Sequence, residues 1–358
     1  MKKTFILVFS VVVLSMAFAA CGSQTTDTPS EYTPTEPASA PVPETAPAPV
    51  PETATPTLPT LPSLTLPQIE PDDEAQEPAV AYIIINGEQF STSLTELNLS
   101  GMELQEDDIL QLGYMTNLVV LELGGTAIIH FNGSIAPLSN LTNLNYLGLS
   151  NARISDFSSI ANLTNLILLD LTGAHFDVND LVSLSGLTSL EGLSLAQVRP
   201  LNVPVGTLIS DLRPLSTLTN LTELSIAFNQ VEDLSPLSAL ANLTHFDMSA
   251  SYNVSDLSPL SNLLNLETLN LRNSNVSNLY PLSTLTNLEY LNLNQNEISD
   301  LSPLSTLSRL HTLHLMENEV SDLTPLSALS NLSELALDDN PITDWSPVEG
   351  VSRVWGRP

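Results

Sequence analysis

The sequence predicts an α/β solenoid: a curved, right-handed array of leucine-rich repeats with a parallel β-sheet on the concave face and short 3-10 turns on the convex face. Three observations predict it. The phrase Leu-x-x-Leu-x-Leu starts eleven times between Leu94 and Leu332, and its commonest spacing is 22 residues. In five units a Ser-Pro or Thr-Pro step follows the phrase. We therefore place about eleven repeats in residues 94–354.

The residue type at each position of the unit has a physical reason, and residues 221–242 serve as the example. The Leu-x-Leu alternation is that of a short strand, so Leu224 and Ile226 point inward. Asn229 follows, where the chain turns away, and its amide can bond the backbone of neighbouring coils. Ser235-Pro236 then fits a helix N-cap and a first helical position. The apolar stretch after it is about one turn long, which favours a 3-10 turn over an α-helix.

The N-terminus reads as a targeting segment. Lys2 and Lys3 precede an almost wholly apolar run, which predicts a signal peptide over residues 1–20. The following Phe18-Ala-Ala-Cys21-Gly22 resembles a bacterial lipobox, which implies cleavage before Cys21 and a lipid on its thiol. The alternative is an ordinary secreted protein with a free thiol. We expect a cell-membrane protein, lipid-anchored through Cys21 and facing outward on the cell surface.

The segment after the cysteine differs sharply in composition. Residues 22–79 hold 14 prolines and ten acidic residues, with no Lys or Arg. Such a segment buries too little apolar surface to offset the entropy of ordering it. Proline and like charge both favour extended chain. We interpret residues 21–79 as a disordered stalk that carries the lipidated cysteine.

Composition and motifs exclude several classes of function. The chain has 40 acidic residues against 9 basic ones, a net charge of -31, which argues against nucleic acid as a partner. We find no phosphate loop, no nucleophile elbow and no Cys–His pair, so we expect no enzyme and no cofactor. The acids of Glu106–Asp108 and Asp177–Asp180 lack the EF-hand pattern, and we interpret them as solvated faces rather than a metal site.

The unit at residues 287–304, Asn-Leu-Glu-Tyr-Leu-Asn-Leu-Asn-Gln-Asn-Glu-Ile-Ser-Asp-Leu-Ser-Pro-Leu, resembles the 22-residue repeat of bacterial internalins. The resemblance covers residues 94–354. It implies the fold above and protein partners bound by the concave face. Residues 80–93 then read as an N-terminal capping strand, with Ile83–Ile85 over the first coil, and 355–358 as a C-terminal tail.

Irregular units are candidates for function. Four units exceed 22 residues by two or more, and we place their additional residues in loops after the strand, including His130-Phe131 and the stretch from Arg199 to Ile209. Loops on a rigid scaffold are favoured sites of recognition, although repeat arrays also tolerate insertions without function. We include His130, Phe131 and Arg199 among the partner-binding candidates.

Outward strand positions give two further candidate surfaces. Val120, Tyr146 and Leu168 occupy the first outward position of three adjacent units, where an exposed apolar row would mark a partner site. Alternatively, rim loops fold over them. A second patch comprises Arg272, Tyr290 and His314 with their neighbours, although Arg272 has Asp247 as a possible structural partner.

Together these observations predict a lipid-anchored, cell-surface protein-binding module, adhesin-like or an interaction scaffold. The outward Asn, Tyr and His residues leave a surface glycan or peptidoglycan binder as the alternative.

Overall fold

The computed structural model describes residues 81–125, 134–198, 208–254 and 256–357. Within them, twelve strands form one parallel sheet in which every strand pairs with the strand of the next coil along the chain. A short helical turn follows most strands on the way to the next. The predicted α/β solenoid of leucine-rich repeats is confirmed.

Each strand of the sheet has three residues, and the central residue points into the core. The sheet comprises β3 to β14: Glu96–Asn98, Val120–Glu122, Tyr146–Gly148, Leu168–Asp170, Gly192–Ser194, Glu223–Ser225, His245–Asp247, Thr268–Asn270, Tyr290–Asn292, Thr312–His314, Glu334–Ala336 and Arg353–Trp355.

Leucines of successive coils meet in one continuous core. Leu224 and Ile226, which the alternation pointed inward, are both fully buried, as are their equivalents in neighbouring coils. A buried leucine or isoleucine contributes about 1.5–3 kcal/mol, so stacking the coils is what stabilises a unit that could not bury its leucines alone.

Asparagine ties the coils together as predicted. Asn296 donates from Nδ2 to the carbonyl of Leu271 in the preceding coil at 2.9 Å, and its Oδ1 accepts from the Val276 N–H at 2.9 Å. The same pattern recurs at Asn229, Asn318 and Asn340.

The turns after the strands are 3-10 helices, also as predicted, but their capping differs. They run Ala136–Asn140, Ser158–Asn162, Val178–Leu184, Arg213–Leu215, Ser235–Ala239, Ser258–Asn262, Tyr280–Leu282, Ser302–Thr306, Thr324–Ala328 and Ser346–Val348. We expected Ser235 as the N-cap; instead Leu234 occupies that position and Ser235 lies inside the turn. The cap comes from Asp233, which accepts from the Ser235 N–H and hydroxyl, both at 2.8 Å.

The aspartate cap recurs in most coils and lowers the pKa of the capping carboxyl. Its hydrogen bonds from the following Ser or Thr favour the charged form and hold the pKa of these carboxyls below the usual value. The residues so affected are Asp233, Asp256, Asp300, Asp322 and Asp344.

The N-terminal end of the array is closed by a hairpin rather than by the single capping strand we expected. Strand β1 (Tyr82–Ile85) pairs antiparallel with β2 (Glu88–Ser91). Because side chains alternate along a strand, Ile83 and Ile85 are buried against the first coil while Ile84 is half exposed.

The first coil contains an α-helix after its strand. Helix α1 spans Glu106–Leu112 and includes the acids that we interpreted as a solvated face. Of these, Asp108 is buried and accepts from the N–H groups of Asn86 and Gln105, at 3.0 and 2.8 Å. Its carboxylate therefore fastens the helix to the hairpin turn. Within the described ranges, no helix has the length and apolar character needed to cross a membrane.

Candidate protein-binding face

The side of the sheet that faces away from the leucine core carries two rows of side chains. The register places Val120, Tyr146 and Leu168 next to one another, as predicted. We call their row the first outward row; it continues through Gly192, Glu223, His245, Thr268, Tyr290, Thr312, Glu334 and Arg353. The second outward row lies two residues further along each strand.

Acids and amides of the second outward row serve the backbone. Asp247 accepts from the Ser249 N–H at 2.9 Å, two residues ahead, and burial raises the pKa of this carboxyl. The same bond to the residue two ahead recurs at Asn98, Glu122, Asp170, Asn270 and Asn292. This local role explains these side chains without a ligand.

The N-terminal part of the first outward row is more closed than expected. Val120 and Tyr146 are half-buried, and Leu168 is only 3% exposed, so the expectation of an exposed row is wrong for Leu168. The Tyr146 hydroxyl donates to Glu122 Oε2 at 2.5 Å, and burial together with Glu122 raises the pKa of Tyr146.

Gly148 makes this closure possible. The Glu122 carboxylate fills the space that the missing side chain leaves: a Cβ on Gly148 would overlap both carboxylate oxygens. Among the other predicted residues, Cys21, His130, Phe131 and Arg199 lie outside the described residues.

The C-terminal part of the face brings the second predicted patch together. The rings of Tyr290 and His314 meet edge to face with centroids 5.5 Å apart, and the Tyr290 hydroxyl lies 3.5 Å from His314 Nδ1. Thr268 and Thr312 flank Tyr290 in the first outward row. All four side chains are half-buried. We call Thr268, Tyr290, Thr312 and His314 the Tyr290 patch.

Charge and hydrogen bonding give the Tyr290 patch a mixed character. Burial lowers the pKa of His314, which keeps its ring neutral at physiological pH and able to both donate and accept. Arg272, the third predicted residue of this region, donates from Nε to Gln295 Oε1 at 3.0 Å, and Gln295 donates in turn to Glu317. The arginine is thus oriented along the edge of the sheet, beside the patch.

A polar groove lies at the opposite edge of the sheet, where the first strands begin. It has a volume of about 590 Å³ and is lined by Ser93, Thr95, Asn117, Val119, Asn143, Asn145 and Asn165. Each of these asparagines donates from Nδ2 to a backbone carbonyl of an adjacent coil. One N–H of each of these side-chain amides is therefore already used within the protein.

A further row was missed in the sequence. One residue in each described coil, just after the strand, adopts a left-handed backbone: Gly101, Gly125, Asn151, Gly173, Gln197, Phe228, Ala250, Asn273, Gln295, Glu317 and Asp339. We call it the rim row. For residues other than glycine this conformation costs about 1–2 kcal/mol, and it is rarest for bulky side chains. Aligning the units would have singled out Phe228 as a large apolar residue in this row.

Comparison with known proteins agrees with this geometry. A family model for leucine-rich repeats in two copies matches residues 219–262 and 264–306. An internalin of Listeria monocytogenes is 29% identical, with a TM-score of 0.52, and the match covers 75% of this chain and 89% of that one. The chain is an internalin-like leucine-rich-repeat protein. A comparison with curated proteins finds no match.

More distant structures share the fold of this internalin-like chain. The ectodomain of the Arabidopsis receptor kinase HAESA, in complex with a peptide hormone, is 23% identical over 70% of this chain and 43% of that one, with a TM-score of 0.57. The mouse RP105/MD-1 complex is 21% identical over 75% of this chain and 48% of the other, with a TM-score of 0.56.

Proposed function

We propose that this internalin-like protein is a lipid-anchored, cell-surface module that binds a protein partner through the Tyr290 patch, as an adhesin or an interaction scaffold, without a catalytic step. The observation that carries the proposal is the pairing of Tyr290 with His314 on a rigid, hydrogen-bonded sheet. Leucine-rich-repeat folds are suited to protein–protein interaction, and HAESA is an example of one in complex with a polypeptide.

The chemistry of the patch fits a protein partner. Tyrosine is over-represented among residues that dominate binding energy at protein interfaces, because it combines a large apolar ring with a hydrogen-bonding hydroxyl. Tyr290 and His314 are held against each other, so little side-chain entropy is lost when a partner docks. The threonines at either side supply hydroxyls for a polar border.

Site-specific photo-crosslinking would test the binding surface. A photoreactive residue at Thr312, beside Tyr290, should capture a discrete protein from the cell surface, and the Tyr290→Ala change should abolish that capture. The matched control is a photoreactive residue at Tyr280, which is 74% exposed and lies on a 3-10 turn rather than on the sheet. Equal capture from both positions would contradict a role for the patch.

The anchor is tested separately. Cys21→Ala should move the protein from the membrane fraction to the medium or the soluble fraction, because the thiol would no longer carry the lipid. Membrane association that survives this change would argue against the lipid anchor but would leave the binding surface untouched.

The asparagine-lined groove favours a second candidate function, binding of a surface glycan or peptidoglycan. Its polar lining suits sugar hydroxyls, and the bond from one N–H of each asparagine amide to the backbone holds that side chain in place. Sedimentation with purified cell wall distinguishes the two functions: the glycan binder co-sediments, and Asn145→Ala reduces that co-sedimentation while Tyr290→Ala does not.

A further inference from the structure

Two exposed aromatic side chains lie at the rim in neighbouring coils: Phe228 belongs to the rim row, and Tyr252 lies two residues beyond Ala250, the rim-row residue of the next coil. Phe228 is 46% exposed and Tyr252, in the next coil, is 57% exposed. The Phe228 N–H donates to the Ser249 carbonyl at 2.8 Å, which fixes the two coils against each other. The Tyr252 hydroxyl accepts from Asn273 Nδ2 at 3.0 Å. The two rings therefore rest on an ordered backbone.

Neither the backbone nor the hydrophobic effect accounts for Phe228 at this position. Its φ of 59° is the left-handed conformation that glycine adopts at Gly101, Gly125 and Gly173 of the same row. About half of its surface also remains in contact with water, and that exposed half gains nothing from the hydrophobic effect. Strain retained together with an exposed apolar ring points to a function for that ring.

The charge around this pair indicates what kind of partner fits. Residues 208–357 contain 18 acidic residues and five arginines. Three of those arginines already pair with carboxylates, Arg213 with Asp211, Arg309 with Glu289 and Arg353 with Glu334.

Beyond Tyr252 the rim carries exposed acidic side chains. Glu317 and Asp339 belong to the rim row itself, and Glu297 and Glu319 lie two residues beyond it in their coils. Gln295 donates to Glu317 Oε1 at 3.0 Å, which holds that carboxylate at the rim.

We propose that Phe228 and Tyr252, with the acidic rim beyond them, form a docking surface for a basic polypeptide segment in extended conformation. Arginine or lysine side chains stack on aromatic faces and are attracted by the surrounding carboxylates. Successive coils are spaced about 4.8 Å apart, so the four steps from Phe228 to Glu317 span about 19 Å, or roughly six extended residues. This surface shares no residue with the Tyr290 patch. The proposal therefore goes beyond the proposed function, and the variants named below test the two independently.

The test uses the full-length protein and synthetic peptides. The probe is a fluorescent seven-residue peptide that alternates arginine and leucine; its control carries glutamine in place of arginine. Binding is followed by fluorescence anisotropy at about 50 mM salt, where charge attraction between surfaces is only partly screened. The key variant is Phe228→Gly, which removes the ring and suits the left-handed backbone, so its thermal midpoint should stay equal or rise.

We expect the arginine peptide to bind, and the glutamine peptide to bind about tenfold more weakly because it lacks the charge. Phe228→Gly should weaken binding of the arginine peptide by about fivefold or more. The matched control Tyr280→Ala removes a more exposed aromatic ring elsewhere and should change binding by less than about twofold. Tyr290→Ala should leave the affinity for this peptide unchanged.

Three results would overturn the proposal. Unchanged binding by Phe228→Gly, or equal losses from Phe228→Gly and Tyr280→Ala, would show non-specific charge attraction. Equal affinity for the two peptides would show that the surface does not select a basic segment. Sedimentation velocity tests whether the surface binds a second copy of the chain instead. Dimerisation of the wild-type protein that is absent from Phe228→Gly would show that it does.

Discussion

Replacing the buried asparagine Asn318 with alanine should destabilise the array more than its small size suggests. Asn318 is 8% exposed. Its Nδ2 donates to the carbonyls of Leu293 and Leu315 at 2.9 and 3.1 Å, and its Oδ1 accepts from the Ile298 N–H at 3.0 Å. The side chain thus joins two coils at one point.

The magnitude follows from which groups lose their partner. After Asn318→Ala, the Leu293 carbonyl keeps its bond from Asn296, and the Leu315 carbonyl keeps its bond from Asn340. The buried Ile298 N–H, in contrast, loses the side-chain acceptor. An unsatisfied buried donor costs about 1–3 kcal/mol, and the weakened carbonyl bonds add to it. We expect the free energy of unfolding to fall by about 2–4 kcal/mol.

Urea denaturation followed by circular dichroism measures this change. The matched control is Ser251→Ala, at the equivalent position of another coil, where a fully buried hydroxyl finds no hydrogen-bond partner among the described residues. That change should cost close to nothing. A loss below about 1 kcal/mol for Asn318→Ala, or the same loss for both variants, would refute the assignment of the asparagines as the ties between coils.

Three other predictions concern stability. Gly148→Ala should cost about 1–2 kcal/mol by displacing the Glu122 carboxylate, and less in a Glu122→Ala background; equal costs in the two backgrounds, measured by denaturation, would contradict this contact. Hydrogen bonds from Ser302 lower the pKa of Asp300 in the folded state, so the unfolded state binds more protons. The stability that this cap contributes is complete above the unfolded pKa of about 4 and is lost as the pH falls through the folded pKa. Asp300→Asn, which can still accept the bond, should therefore flatten the decline of the thermal midpoint in acid, and an unchanged slope would count against the cap. Leu168→Asp should destabilise the protein by about 3 kcal/mol or more because the site is buried, and a wild-type melting temperature would show that the site is open after all.

Periodic features were predictable because each repeat has the same local pattern of apolar, amide and proline residues. The alternation around Leu224, the amide of Asn229 and the brevity of the segment after Pro236 each follow from local geometry, and the structure confirms them. The serine cap was wrong for a physical reason. Both Asp233 and Ser235 can cap a turn, and only the backbone path shows that Leu234 lies at the N-cap.

The candidate face was only partly predictable. The register of Val120, Tyr146 and Leu168 follows from the repeat, whereas their exposure depends on neighbours that the repeat does not specify. Glu122 crosses the space above Gly148 to reach Tyr146, an interaction between coils 24 residues apart. No local pattern contains such a contact.

The sequence by itself determined the coil, the inward leucines, the asparagine ties and the order of strands in the sheet, because these depend on a period that the chain repeats many times. Only the tertiary structure decided which outward side chains remain accessible, that Tyr290 and His314 meet, and that Phe228 is both strained and exposed. Those properties arise between coils, where side chains distant in sequence compete for the same space and the same hydrogen-bond partners.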